Sequence, residues 1–73
     1  MMKKRNFNRI KLALVEKEKS NKWLASKLNV NEATVSKWCT NTVQPSVESF
    51  YKIAEILDVE VRKLFVPTKE KDE

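Results

Sequence analysis

The chain has 73 residues, enough for one small domain, and its 41% apolar and 34% charged content suits a folded chain better than a disordered one. His and Gly are absent and Cys39 is the single cysteine, which removes the commonest general base, phosphate-cradling glycine loops, disulfide frameworks and cysteine-based zinc sites. The net charge is +5, and residues 1–11 hold Lys3, Lys4, Arg5, Arg9 and Lys11 without one acid, so an anionic partner is expected, nucleic acid before a membrane surface.

Residues 1–6 read as a basic, flexible arm, with Lys4 and Arg5 available to any phosphate backbone. They lack the apolar stretch of a signal peptide, and no run of 18 apolar residues follows, so the cytoplasm is the expected location and no membrane role is expected. A first helix is predicted over 7–18, with Phe7, Ile10, Ala13 and Leu14 on one face. A second, over 21–28, carries Leu24, Ala25 and Leu28. Asn31 is a good N-cap for a third, which runs to about Thr40 with Val35 and Trp38 on one side. Ser46 caps a fourth, whose stripe is Val47, Phe50, Ile53, Ala54 and Leu57. A short fifth is predicted over 60–65, closed by Pro67, and the charged tail 67–73 is expected to fray. Asn29, Asn41 and Asp58 stand where helices two, three and four must stop, as the best available substitutes for glycine in left-handed backbone. No segment alternates with period two. The expectation is an all-α domain over residues 7–66.

The second and third helices are separated by Asn29-Val30-Asn31 alone, and so short a connection forces a steep crossing, which is helix-turn-helix geometry. Leu24, Leu28, Val30, Val35 and Trp38 are the expected shared core, with Ala25 small at the crossing. With Glu32 at zero on a helical wheel, Ser36, Ala33 and Lys37 fall at about 40°, 100° and 140°, while Val35 and Trp38 fall at about 300° and 240°. The third helix is thus anchored by its apolar pair and presents small or hydrogen-bonding groups outward, as a helix entering the major groove must. Each residue also has an ordinary reading. Glu32 suits a helix N-terminus, Lys37 suits a solvated face, Trp23 packs, and Cys39 is a small, partly buried hydrophobe.

The segments Asn8-Arg9-Ile10-Lys11, Ser20 to Val30, Ala33 to Trp38, Gln44-Pro45-Ser46, Lys52-Ile53-Ala54 and Leu57-Asp58-Val59 through Leu64-Phe65 together resemble the Cro/phage-repressor-like (XRE-type) helix-turn-helix domains. The resemblance spans about residues 8 to 66. It implies a compact five-helix, lambda-repressor-like bundle, sequence-specific binding of double-stranded DNA as a transcriptional regulator, a repressor by preference, and a homodimer on palindromic sites. Carried over by position, it gives Glu32, Ala33, Ser36 and Lys37 as base-reading residues. Asn21, Lys22, Thr34, Thr40, Asn41 and Thr42 become the phosphate-binding ones. Cys39 stands where some members have an acid paired with a basic residue on the first helix. Leu12 and Ile56 lie off their helix stripes, so either one packs under the fifth helix or both mark a partner surface, and Val59, Val61, Leu64 and Phe65 near the C-terminal end offer a dimer contact. No enzyme activity, cofactor, metal or small-molecule ligand is expected. The competing reading is a protein-interaction module on the same fold, such as an antitoxin that binds a toxin partner.

Overall fold

Ser20, Asn31 and Ser46 each stand in extended backbone just before a helix and turn a side-chain oxygen back onto it. Ser20 Oγ accepts from the Trp23 amide at 3.0 Å, Asn31 Oδ1 from the Ala33 amide at 2.9 Å, and Ser46 Oγ from the Ser49 amide at 3.1 Å. Each satisfies one of the amides a helix N-terminus leaves orphaned. These caps open α2 (Asn21–Leu28), α3 (Glu32–Cys39) and α4 (Val47–Leu57). Before them runs α1 (Ile10–Glu16), and after them a 3₁₀ turn over Val61–Leu64. The computed structural model describes residues 5–69; Lys3 and Lys4 of the arm, and the tail beyond Lys69, lie outside the described residues.

The chain leaves its helices through left-handed backbone at Glu18, Asn29, Asn41 and Asp58, with φ of 59°, 59°, 61° and 59°. Three of these are the predicted stops. Glu18 is not among them, and it lacks the short amide or carboxylate that makes Asn and Asp tolerant there.

The first helix is shorter at both ends than its apolar spacing predicts. Phe7 and Asn8 are extended instead, because their backbone pairs with the C-terminal segment. Val66 donates to the Phe7 carbonyl at 2.9 Å, Arg9 donates to the Leu64 carbonyl at 2.8 Å, and Asn8 and Phe65 form an isolated antiparallel bridge. Phe7 is accordingly 50% exposed and is not a core residue. The same pairing draws Phe65 into extended backbone, so the fifth element ends as one 3₁₀ turn and not as an α-helix.

The core is a single cluster. Ile10 and Leu14 of α1, Leu24 of α2, Val35 of α3, Ile53 of α4 and Leu64 of the 3₁₀ turn are its fully buried side chains. Trp38, Phe50 and Leu57 close it, and Ala13, Ala25 and Ala54 let the helices approach. Besides Phe7, three predicted core positions depart from this. Val47, in the first turn of α4, is 71% exposed, Val30 lies in the α2–α3 turn and is exposed, and Leu28 is half-buried against the cluster. Among the described residues no helix is long and apolar enough to cross a membrane.

Candidate nucleic-acid interface

The three-residue turn between α2 and α3 is closed by backbone bonds back onto α2. Asn29 adopts left-handed backbone, and the Val30 amide donates back to the Ala25 carbonyl at 3.0 Å, the closure that ends a helix and redirects the chain. Asn31 then caps α3. Val35 is fully buried and Trp38 nearly so, on one side of that helix, while Glu32, Ala33, Ser36 and Lys37 are exposed on the other. Glu32 occupies the first turn of α3, where the macrodipole favours a carboxylate, and Lys37 the last, where it favours a cation. The four residues assigned to base reading therefore share one solvent-facing stripe on a helix pinned from behind.

The six residues assigned to phosphate binding are placed differently from one another. Lys22 is exposed, while Asn21 and Thr34 are half-buried. Asn21 Oδ1 accepts from the Cys39 thiol at 3.4 Å, which joins the start of α2 to the end of α3. Burial pushes the Cys39 thiol above its ordinary pKa of 9.0, and nearby Lys11 opposes that in part. Lys11 is thus a basic residue of the first helix whose charge reaches Cys39.

Thr40 and Thr42 sit on the exposed loop after α3, wound onto one carbonyl. The Lys37 oxygen accepts from the Thr42 amide at 2.9 Å, the Val43 amide at 3.3 Å and the Thr40 hydroxyl at 3.2 Å. The two threonine hydroxyls lie 2.8 Å apart, hydrogen-bonded to each other. Asn41, between them, is only 9% exposed, and its amide is committed to the backbone of residues 7 and 8 and to Gln44. Its side chain is directed into the protein, so it leaves the set of candidate contacts.

Asn8 is the residue sequence reasoning missed. It is 3% exposed and bonded on both sides of its amide. An Asn two residues before an apolar helical run is a local capping signal, but the expectation of a helix from Phe7 concealed it. The packing of Trp23 is as its position on α2 suggests. It lies against the core, with the Lys19 and Lys27 ammonium groups 4.8 and 5.7 Å from its ring centroid.

Comparison with known proteins agrees with this geometry. Residues 10–64 match the helix-turn-helix family model. The crystal structure of a candidate DNA-binding protein from Bacteroides fragilis is similar to this chain, with 46% sequence identity and a TM-score of 0.80, over 81% of this chain and 95% of that one. No curated protein matches.

Proposed function

The chain belongs to the helix-turn-helix family, of the Cro/C1 type, and from that premise we propose that it is a sequence-specific DNA-binding regulator, acting as a repressor. The observation that carries this reading is the exposed stripe of Glu32, Ala33, Ser36 and Lys37, held outward by buried Val35 and Trp38. Ala33 and Ser36 are small enough to let α3 approach the floor of the major groove. Lys37 can donate to guanine O6 and N7, and Glu32 can accept from cytosine N4. Lys22, Asn21, Thr34, Thr40, Thr42 and the basic arm supply phosphate contacts. The similarity to the Bacteroides fragilis protein supports the same partner.

A lone domain of this size reads few base pairs, so a homodimer on half-sites about 34–36 Å apart completes the reading. Of the surface first expected for that contact, Leu64 is fully buried, Val59, Val61 and Ile56 are half-buried against the core, and Leu12 and Phe65 stay exposed, at 49% and 38%. The proposed contact is α4 instead. Val47 and Tyr51 stand one turn apart there, 71% and 54% exposed, beside Glu48 and Lys52. A two-fold axis brings such a patch against itself, with Glu48 and Lys52 paired along the same helix at 3.8 Å beside it.

The test is binding to a duplex selected from a random pool and to a scrambled duplex. Lys37→Ala is expected to cost about 1–3 kcal/mol on the selected duplex and to relax one base position per half-site. Arg5→Ala is expected to weaken both duplexes alike and to lower the log–log salt slope by about 0.9. Uniform loss from both variants would overturn base reading by α3 and favour the protein-interaction module.

A further inference from the structure

Asn8 and Asn41 are 33 residues apart in sequence and hydrogen-bonded to each other's segments in both directions. Asn8 Oδ1 accepts from the Ile10 amide at 3.0 Å, at the start of α1. Its Nδ2 donates to the Trp38 carbonyl at 2.9 Å and to Gln44 Oε1 at 2.7 Å. One side chain therefore satisfies the first amide of α1 and gives the Trp38 carbonyl, which also accepts from the Asn41 amide at 3.0 Å, a second donor in the last turn of α3. Asn41 Oδ1 accepts from the Phe7 amide at 2.8 Å, the Asn8 amide at 2.9 Å and Gln44 Nε2 at 3.1 Å, and its Nδ2 donates to the Asn8 carbonyl at 3.1 Å.

A satisfied polar cluster in a small core gains little net stability over apolar groups of the same shape, since every member gives up water to enter. What it supplies is a fixed geometry, and here the geometry concerns two ends of the candidate interface. Phe7 and Asn8 are locked against Asn41, four residues after Lys37 and inside the loop wound on the Lys37 carbonyl. Two residues before Phe7, the Arg5 guanidinium lies 5.2 Å from the Phe7 ring centroid. We infer that the Asn8–Asn41–Gln44 amide cluster is a positioning device. It holds the Arg5 arm in register with the C-terminal end of the recognition helix, so that both engage one stretch of duplex. The inference rests on the DNA-binding reading above. The three residues act through others and touch no DNA themselves.

A double-mutant cycle on a mixed-sequence duplex tests it, with Arg5→Ala and Asn41→Gly as the two changes. Glycine is chosen because Asn41 has φ of 61°, which glycine adopts without steric cost, so the helix end keeps its backbone while the amide is removed. In the parent, Arg5→Ala lowers the log–log salt slope by about 0.9. In the Asn41→Gly background the same change is expected to leave the slope unaltered, because the arm is no longer held where it meets the phosphate. A cluster that serves stability alone would give additive effects, and additivity overturns the inference while leaving the DNA reading intact. A parent chain that binds no duplex at low salt overturns both. Circular dichroism monitors folding, and if Asn41→Gly does not fold, Gln44→Ala replaces it under the same criterion.

Discussion

The rings of Phe50 and Phe65 lie 4.3 Å apart, centroid to centroid, and 31° from coplanar. Phe50 is buried in α4 and Phe65 follows the 3₁₀ turn, so the contact clamps the end of the domain onto its longest helix. Phe65 stays 38% exposed beside this contact. Phe65→Ala is expected to cost about 1–2 kcal/mol of stability, from lost stacking and apolar burial, and to leave self-association unchanged. Tyr51→Lys, on the exposed face of α4, is expected to weaken self-association with little change in stability. Sedimentation equilibrium and thermal melting on the two variants separate these effects, and the opposite pattern would return the dimer contact to the C-terminal end.

Trp38 is 7% exposed, on the inner face of α3. Trp38→Ala is expected to cost about 3–5 kcal/mol, a large share of what a domain of this size has, at roughly 0.05–0.15 kcal/mol per residue. Urea titration should show a sharply lowered midpoint. A midpoint near the parent's would mean that α3 is not anchored by this ring.

Glu18 pays for left-handed backbone at φ 59° without the side chain that eases it in Asn29 and Asn41. Glu18→Gly is expected to raise stability by at most about 1–2 kcal/mol, the left-handed penalty it relieves, less the backbone entropy glycine loses on folding, and Asn29→Gly by less. Melting temperatures would rise by about 4–8 °C per kcal/mol in a domain of this size. No rise at Glu18 would show that its side chain makes a compensating contribution.

Cys39 has its thiol pKa raised by burial above the ordinary 9.0. Between the unfolded and folded values the native state keeps a proton that the unfolded chain has lost. The thiol's contribution is therefore fully present below about pH 9 and falls as pH rises through the folded value. Cys39→Ala should flatten that part of the stability–pH curve. At neutral pH the folded thiol should react slowly with a disulfide reagent, and urea should accelerate it to the rate of a free cysteine. Fast labelling of the folded protein would contradict the burial.

Much of the architecture was legible in residues close together in sequence. Ser20, Asn31 and Ser46 mark helix starts because capping joins groups two or three residues apart. Asn29, Asn41 and Asp58 mark helix ends because left-handed backbone is a property of the residue itself. The outward stripe of Glu32, Ala33, Ser36 and Lys37 follows from helical geometry once Val35 and Trp38 are inside.

The features that required the tertiary structure involve groups with no local signature. Phe7 fits the period of the first helix, yet it is drawn into extended backbone by Val66, nearly sixty positions later. Asn41 stands at the predicted helix end, but its side chain turns inward because the amides of Phe7 and Asn8 arrive from the other end of the chain. Leu64 and Phe65 look alike in the sequence, but the core closes over Leu64 while Phe65 stacks on Phe50 and stays 38% exposed. Thus the sequence by itself determined where α2, α3 and α4 start and stop and which face of α3 points outward, because those choices are made within a few residues. Tertiary packing decided which polar groups remain for a partner, because a buried amide takes its hydrogen bonds from whatever backbone the fold brings within reach.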